Sequence, residues 1–410
     1  MSRTNDFSVL IGLDWASSKH DICIQYADGK RELAVVKHSA EAIEQWITKL
    51  HQQHPGQIAI ALELSKGPIV YALQKYPFVT LFPINPTMLC RYRRALSPSG
   101  AKDDPTDASI ALDLLVRYPD KITPLKMADD KIRKLAFLVE ERRRLVDEKK
   151  RYVNRLINAL KQYYPQPLEW FTHRDSQLFV EFITRWPSLD KLKRAKADTI
   201  SRFLTSRGSF AKLVSPRLEA IKSATPLTYD SVVIESNKLL AITLANQMLP
   251  IITAIKIFEQ EIEAIYHDMP DASLYESLPG VGKCLSPRLL VAFGEDRNRF
   301  GSAQEVQKYA GIAPVTERSG KTAWVHWRWG CSKFIRQTFT EWSAKSVLYS
   351  YWAQLYYEQQ KKKGNSHHQA VRSLAFKWIR ILYRCWKTNT PYNETQYLKV
   401  LTERNSPLLG

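Results

Sequence analysis

The chain has 410 residues, of which 44% are hydrophobic, and a formal net charge of +19. This length is too great for one ordinary domain, and the apolar content is sufficient for well-packed cores. The five cysteines show no C-x-x-C spacing, which argues against a zinc site. We find no signal peptide and no apolar run near 18 residues, which argues against a membrane protein.

The positive charge is concentrated in the later part of the chain. Residues 1–121 contain nearly equal numbers of basic and acidic side chains, so almost all the excess lies downstream. This pattern indicates that one part of the protein performs chemistry while the rest binds a polyanion. Nucleic acid is the favoured polyanion, because phosphate contacts dominate such binding, and a membrane surface is the weaker alternative.

The first 120 residues alternate between strand-like and helix-like patterns. Short apolar runs and the turn A-D-G-K at 27–30 predict strands at 7–14, 21–26, 32–37, 57–64 and 78–83. Helical periodicity predicts helices at 40–52 and 67–75 and a third helix from Asp104. The order β-β-β-α-β-α-β-α is that of a ribonuclease-H-like α/β domain, while the remainder of the chain is mostly α.

Four carboxylates stand at informative positions in this predicted domain. Asp14 lies near the end of the first strand in G-L-D-W-A, and Glu63 follows the fourth strand in A-L-E-L-S. Asp104 and Asp107 are three residues apart at the predicted start of the last helix, so they share one face. Acids held this close require a cation, and oxygen-only ligands favour Mg²⁺. A pair of such ions about 3.5–4 Å apart is a common device for phosphoryl transfer.

The acidic pair also has a structural interpretation. In D-P-T-D, Asp104 is a suitable N-cap, proline suits the first helical position, and Asp107 is favoured by the helix dipole. Taken alone, the pair is typical of a helix start. Four acids in this order on these elements favour a catalytic site instead.

Two long helices are predicted downstream. Apolar residues repeat at helical spacing over 129–162, with charged runs between them, which predicts a partly coiled-coil helix. The Arg and Lys residues of this helix fit a solvated face and a nucleic-acid contact equally well. Residues 168–245 resemble a helical insertion, and a second long helix over 246–267 could return antiparallel to the first.

Residues 278–283, L-P-G-V-G-K, open a compact module. Gly280 and Gly282 would allow close backbone approach, and the next helix N-terminus, with Lys283, could bind a phosphate as in a helix-hairpin-helix. An ordinary glycine-rich turn is the alternative.

Ser319 follows in E-R-S-G-K-T, between Arg318 and Lys321. Read without context, R-S-G-K is typical of a surface turn. A serine hydroxyl is also a poor nucleophile until a base or a metal activates it.

The C-terminal stretch from residue 345 is basic and aromatic. Trp378, Ile379, Ile381, Leu382 and Trp386 at helical spacing favour a core face over base stacking. The residues between them then form a phosphate-facing side, namely Lys377, Arg380, Arg384 and Lys387. The histidines at 367 and 368 lack a second ligand cluster, so we interpret them as surface residues or nucleic-acid contacts and not as metal ligands.

The combination of motifs resembles the DEDD transposase family of bacterial insertion sequences, which includes the Piv-type pilin-gene invertases. The resemblance rests on G-L-D-W-A, A-L-E-L-S and K-D-D-P-T-D-A, the charged helix after residue 140, and the block from S-L-P-G-V-G to Y-A-G-I-A-P-V-T-E-R-S-G-K. It covers about 300 residues, and the stretches 168–245 and beyond 345 indicate a longer subgroup.

The resemblance implies a RuvC-like domain at 1–125 whose acids Asp14, Glu63, Asp104 and Asp107 bind Mg²⁺. It implies a coiled coil with helical insertion at 126–270 and a transposase domain at 271–345, followed by a basic extension at 346–410. The catalytic serine implied by position is Ser319, with Ser332 as the fallback. Nucleic-acid contacts are expected at Gly280, Gly282, Lys283, Arg318, Lys321 and Arg336.

The expected partners are donor and target DNA, a structured bridge RNA and further copies of the chain, in a dimer or tetramer without a membrane. The expected location is cytoplasmic, in association with the bacterial nucleoid. The leading hypothesis is therefore an RNA-guided serine recombinase that cuts and rejoins DNA. A RuvC-like junction-resolving nuclease that uses water is the alternative, and a non-catalytic nucleic-acid-binding protein is a third.

Overall fold

The computed structural model describes residues 6–96, 104–126 and 129–408. The chain divides between residues 127 and 128 into two compact units, which are described separately.

The first unit is an α/β structure. Its elements in chain order are β1 (Phe7–Trp15), β2 (Lys19–Tyr26), β3 (Arg31–Lys37), α1 (Ala40–Gln53), β4 (Gln57–Leu62), α2 (Pro68–Gln74), β5 (Val79–Pro83), α3 (Pro86–Leu96) and α4 (Asp104–Arg117). The sheet order is β3-β2-β1-β4-β5, in which β1 pairs antiparallel with β2 and parallel with β4. The five predicted strands and the helices at 40–52 and 67–75 are present within about two residues, and this order of elements is consistent with a RuvC-like domain.

Helix α3 was missed by the sequence prediction. Its N-terminus has a clear local signal, because Asn85 accepts a hydrogen bond from the backbone N–H of Thr87 at 2.8 Å and proline occupies the first helical position. The helix buries only Leu89 and is rich in arginine, so its apolar periodicity is too weak to predict it.

Each face of the sheet packs against different helices. Val9, Ile11 and Leu13 point to the side covered by α1 and α2. The alternate residues of β1 and β4, including Leu10 and Ala61, pack against α3 and α4. Successive strand residues point to opposite faces, so the sheet is the middle layer of three.

Helix α4 contacts β1 with its backbone at Gly12. A Cβ atom at this position would lie 1.9 Å from the carbonyl oxygen of Ala108 and 2.5 Å from the backbone nitrogen of Leu112. No side chain can occupy that space without moving the helix, so glycine is required by packing and not by an unusual backbone conformation.

Substitution of this glycine is therefore expected to be severe. We predict that Gly12→Ala lowers the free energy of unfolding by about 3 kcal/mol or more, since the clash is with helix backbone and cannot be relieved by a rotamer change. Gly330→Ala is the matched control, because a Cβ there has open space and the backbone is not left-handed. Urea unfolding followed by circular dichroism measures both; equal midpoints would contradict the close packing.

The second unit is mostly helical. It contains α5 (Asp130–Tyr163), α6 (Pro167–Trp170), α7 (Gln177–Arg185), α8 (Leu189–Lys193), α9 (Ala197–Ser206), α10 (Ala211–Ser223), α11 (Ser231–His267), α12 (Ala272–Glu276), α13 (Gly282–Phe293), α14 (Ala303–Tyr309), β6 (Val315–Ser319), β7 (Thr322–His326), α15 (Lys333–Ser346), α16 (Tyr351–Lys362), α17 (His367–Thr388) and α18 (Glu394–Glu403). The helices α5 and α11 pack antiparallel: the start of α5 contacts the end of α11, and Leu156 lies in a cluster with Leu244.

Helix α11 begins at Ser231, fifteen residues before the predicted start at 246. Asp230 caps it by accepting hydrogen bonds from Val232 and Val233, and the helix continues through Pro250. Within the described chain it is the one helix that passes a length-and-composition test for a membrane span, although a third of its most apolar window is buried. The expectation that no apolar run approaches 18 residues was therefore wrong. Scattered Thr, Asn and Gln residues interrupt the apolar residues of α11, so the uncharged stretch is not obvious in the sequence.

The C-terminal helices bury the aromatic residues predicted to be core. Trp378, Ile379, Leu382 and Trp386 of α17 are fully buried, which confirms the core interpretation over a stacking surface. Trp378 also donates a hydrogen bond to the Ser346 hydroxyl at 2.7 Å, so its polar edge is satisfied inside the core.

Candidate functional site

Asp14 and Glu63 lie at the same edge of the sheet. The strands β1 and β4 are parallel, and Leu13 pairs with Leu62. The residues that follow these two are Asp14 and Glu63, so both acids lie at the carboxyl ends of their strands. Gly12 and Ala61, two residues earlier, both face α4, and alternation directs the acids to the same side. Asp14 is partly buried and Glu63 is exposed.

Helix α4 brings Asp104 and Asp107 toward this edge. Later in the helix, Asp113 forms an ion pair of 2.7 Å with Arg31. Arg31 pairs with Gln25 of β2, which pairs with Leu10 in the early part of β1. The helix therefore runs antiparallel to β1. Ala108 and the following turn contact Gly12, so the first turn of α4 lies toward the Asp14 end of the strand. The ends of β1 and β4 and the first turn of α4 therefore lie toward the same edge of the sheet.

Asp107 is already paired with a cation. It is 4% exposed, and the guanidinium of Arg93 on α3 donates from Nη1 to both carboxylate oxygens at 2.5 and 2.6 Å. These hydrogen bonds raise the pKa of Arg93 above its usual range, so the guanidinium keeps its proton. A charged pair within the unit thus neutralises this buried acid.

Asp21 is an acid at this edge that sequence reasoning did not single out. It lies directly opposite Asp14 in the β1–β2 pairing and is 3% exposed, with Lys19 Nζ 3.3 Å from its carboxylate. Its position two residues before the buried Cys23 places it on the α4 face. That alternation in H-D-I-C-I was the available signal.

The donor set suits a hard divalent cation in kind, since every candidate ligand is a carboxylate. Over residues 6–96, 104–126 and 129–408, however, no group of three or more His, Cys, Asp or Glu residues is arranged to hold a metal ion. The structure brings the elements that carry the four acids to one edge, and Asp107 forms its ion pair with Arg93 there.

Ser319 lies at the tip of the β6–β7 hairpin in the second unit. It pairs with Thr322 across the turn formed by Gly320 and Lys321, and Gly320 adopts a φ of +58° that this tight turn requires. The serine is exposed. Arg318 points to the opposite face of the hairpin by alternation, and Lys321 stands in the turn two residues after Ser319.

Ser332, the fallback nucleophile, has a structural role. It is the N-cap of α15, and its hydroxyl accepts a hydrogen bond from the backbone N–H of Ile335 at 3.3 Å. This favours Ser319 as the hydroxyl available for chemistry.

The glycine-rich turn at 278–283 packs tightly within the second unit. Gly280 has a φ of +76°, and a Cβ there would lie 3.0 Å from the ring of Tyr349 and 3.1 Å from the backbone of Lys345. Lys283, at the start of α13, forms an ion pair with Glu263 of α11. The paired cation favours the ordinary structural interpretation of this turn over phosphate binding.

Several cations of α5 are also paired with acids of other elements. Arg142 contacts Glu259, and Lys149 contacts Asp175 at 2.8 Å. These pairs bridge the helices of the second unit, so such side chains are less available to a phosphate backbone than their exposure in the sequence pattern indicated.

A basic groove of about 540 Å³ lies between α17 and α18. Its lining includes Lys377, Arg380, Arg384 and Arg404 and, among the residues described, no acid. Burial lowers the pKa of Lys377, and the neighbouring cations Arg380 and Lys363 lower it further. Three of the four predicted phosphate-facing residues line this groove, whereas Lys387 donates to the carbonyl of Arg297 at 2.6 Å.

The sequence comparisons identify the class. A family model for DEDD transposases matches residues 11–165, which contain all four acids, and a second model, for transposases of the IS116/IS110/IS902 family, matches residues 272–358, which contain Ser319. The fold and these matches define a DNA transposase. The chain belongs to the IS110 family of transposases, since the two models together match more than half of it.

Curated relatives agree with this assignment. The chain is 25% identical to the mini-circle candidate transposase for IS117 of Streptomyces coelicolor, over 95% of this chain and 96% of that protein. It is 27% identical to an uncharacterized 43.6 kDa protein of insertion element IS110 from the same organism, over 75% of this chain and 76% of the relative. It is 31% identical to the pilin gene-inverting protein of Moraxella bovis, over 30% of this chain and 39% of that protein.

The Arg93–Asp107 pair yields a stability prediction. Because Arg93→Ala leaves a buried carboxylate without its partner, we expect the free energy of unfolding to fall by about 3–5 kcal/mol. Arg93→Met combined with Asp107→Asn removes both charges and is expected to cost much less than the sum of the single changes. Arg94→Ala, at an exposed neighbour on α3, is the control. Additive losses in the double-mutant cycle would contradict the coupling.

The basic groove yields a binding prediction. We expect Arg380→Glu with Arg384→Glu to weaken nucleic-acid binding at least tenfold and to make it less dependent on salt. Each lost phosphate contact means that fewer counterions are released when the nucleic acid binds. Lys193→Glu with Lys212→Glu makes the same change in net charge at exposed positions in the helical insertion. Fluorescence anisotropy over a salt series measures both. Equal effects of the two double variants would mean that net charge alone, not the groove, determines affinity.

Proposed function

We propose that this transposase cuts and rejoins DNA through a covalent intermediate on Ser319, with a divalent metal ion, Mg²⁺, held by Asp14, Glu63, Asp104 and Asp107. The observation that supports the proposal is the convergence at one sheet edge of β1, β4 and the start of α4, the elements that carry the four acids. DEDD transposases of the RuvC-like kind are in general dependent on divalent metals, and the carboxylate donors suit such an ion.

In the proposed reaction, the Ser319 Oγ attacks the scissile phosphorus. An Oγ–P bond forms as one P–O bond to deoxyribose breaks, the serine proton is transferred away, and the departing DNA oxygen takes up a proton. Rejoining reverses these changes, with a DNA hydroxyl displacing Ser319, so the bond energy is conserved without a nucleotide cofactor. The bound cation would supply electrostatic stabilisation of the charge on the phosphoryl oxygens.

The residues of the chain have separable parts in this scheme. The four acids would hold the cation, and Arg93 would have to release Asp107 before that carboxylate could serve as a ligand. Arg318 and Lys321 flank Ser319 and would attract the phosphate to the hairpin tip. The acids and the serine belong to different compact units, so the reaction requires the two units, from one chain or from two copies, to act on one phosphate.

We further propose that a bridge RNA selects the donor and target DNA, and that the protein works in the cytoplasm as a dimer or tetramer. The excess of basic residues lies outside the acid-bearing unit, and the groove between α17 and α18 is free of acids over its described lining. Such a surface suits recognition of backbone and shape, which leaves sequence selection to base pairing.

The alternative is a RuvC-like nuclease in which water attacks the phosphate. One observation favours it: the four acids lie within a single unit, so hydrolysis would need no residue of the second unit. In that case Ser319 would be only the exposed tip of a hairpin.

An adduct assay separates the two functions. Full-length protein is incubated with Mg²⁺, DNA carrying the element ends and RNA that co-purifies with the protein, and protein–DNA adducts are resolved on denaturing gels. We expect Ser319→Ala to reduce adduct to background and Ser332→Ala to leave it unchanged. Asp14→Asn or Glu63→Gln should lower it at least roughly hundredfold, the scale of losing an electrostatic stabiliser, as should chelation of the metal.

Strand cleavage that survives Ser319→Ala and never yields an adduct would establish the nuclease instead. Full activity in both acid variants would contradict the metal site.

A further inference from the structure

Three exposed tryptophans follow the candidate nucleophile in T-A-W-V-H-W-R-W. Trp324, Trp327 and Trp329 are 46%, 38% and 77% exposed, whereas the tryptophans of α15, α16 and α17 are fully buried. We call these three residues the tryptophan surface. Leaving large apolar rings in water is unfavourable, so three exposed tryptophans within six residues favour a binding site.

Trp327 anchors this segment to the helical core of the second unit. The guanidinium of Arg372 on α17 lies 3.2 Å from its ring centroid, and that of Arg336 on α15 lies 5.2 Å away. Burial lowers the pKa of Arg372, and Arg336 lowers it further. These contacts hold Trp327 in place, which leaves the other two rings available to a partner.

Trp324 shares a face of the hairpin with Ser319. The pairs Ser319–Thr322 and Glu317–Trp324 are two positions apart in the same antiparallel ladder, so their side chains project from one side. The indole Nε1 of Trp324 donates to the carboxylate of Glu317 at 3.1 Å, which orients the ring on that side. An aromatic platform thus lies on the same side of the ribbon as the hydroxyl.

The charge around the tryptophan surface selects the kind of partner. Residues 315–336 contain five Arg and Lys residues and one acid, Glu317. Exposed aromatic rings interleaved with cations match a nucleic-acid strand, because bases stack on the rings while phosphates contact the cations. The bases of an intact duplex are already stacked on each other, so only unpaired bases can cover Trp324 and Trp329.

We propose that Trp324 and Trp329 stack on unpaired bases of a nucleic-acid strand, and that Trp327 fixes the platform through Arg336 and Arg372. Binding of unpaired bases stands on these observations alone. Its use in catalysis rests on the proposed function: a locally unpaired strand on this side of the hairpin would present its backbone near Ser319.

The test uses the full-length protein and a fluorescent, unstructured 20-nucleotide thymidine oligomer, compared with a blunt duplex of equal length. We expect Trp324→Ala with Trp329→Ala to weaken binding of the single strand at least about tenfold, since each base–aromatic stack is worth about 1–3 kcal/mol. Binding of the duplex should change less than twofold.

The conservative pair Trp324→Phe with Trp329→Phe should retain most of the single-strand affinity. Phe210→Ala with Tyr229→Ala, which removes exposed aromatic rings from the helical insertion, is the matched control.

Unchanged single-strand affinity in the alanine double variant would overturn the proposal, and so would equal losses for single strand and duplex. A change in sedimentation without a change in oligonucleotide affinity would assign the surface to protein assembly and would also overturn it. Ser319→Ala should bind the single strand normally. Failure of the adduct assay and failure of the stacking assay are therefore separate results.

Discussion

The close packing of α4 on β1 at Gly12 is the constraint on which the candidate acid site depends. Because one central strand residue lacks a side chain, the helix backbone rests directly against the strand. The antiparallel course of α4 then brings its acidic first turn to the strand end that carries Asp14. Parallel pairing of β1 with β4 adds Glu63 at the same edge. A larger residue at position 12 would displace the helix, so the packing that stabilises the unit also sets the geometry of the acids.

The buried acids at this edge are stable because cations from neighbouring elements neutralise them. Arg93 binds Asp107 from α3, and Lys19 contacts Asp21 within β2. An uncompensated carboxylate would be costly in such a place, and these pairs allow the unit to fold with its acids in position. Under the proposed function, metal binding is then an exchange of one cation for another at Asp107. Arg93 would oppose premature binding and would be free to contact the DNA phosphate once released.

The sequence predicts the local features of this protein better than its long-range ones. The strands of the first unit follow from short apolar runs and turn residues, and the core face of α17 follows from the helical spacing of its apolar residues. Helix α3 was missed because three arginines and one buried leucine give it little periodicity. Asp21 was missed although it alternates with Cys23 in H-D-I-C-I, because a single acid in a strand more often faces solvent and its burial is visible only in the fold.

The pairing of charges is the part that local patterns cannot supply. Arg93 with Asp107 and Lys283 with Glu263 join residues on different helices, and no local pattern predicts which cation an acid will meet. The same limit applies to the hairpin: R-S-G-K predicts a surface turn, but only the ladder register shows that Trp324 and Ser319 share a side. Conversely, Lys283 forms an ion pair with Glu263 of another helix, a contact that the motif L-P-G-V-G-K does not predict.

The separation of acids and hydroxyl into two units has a chemical consequence. A serine at an exposed hairpin tip is a poor nucleophile, because its hydroxyl has a high intrinsic pKa and water competes for every polar contact. The four acids alone carry negative charge that repels a phosphodiester until a divalent cation neutralises it. Under the proposed mechanism the acids and the serine, which belong to different units, would both depend on an assembled substrate. A strand held by stacking on the tryptophan surface would present its backbone on the side of the hairpin that carries Ser319.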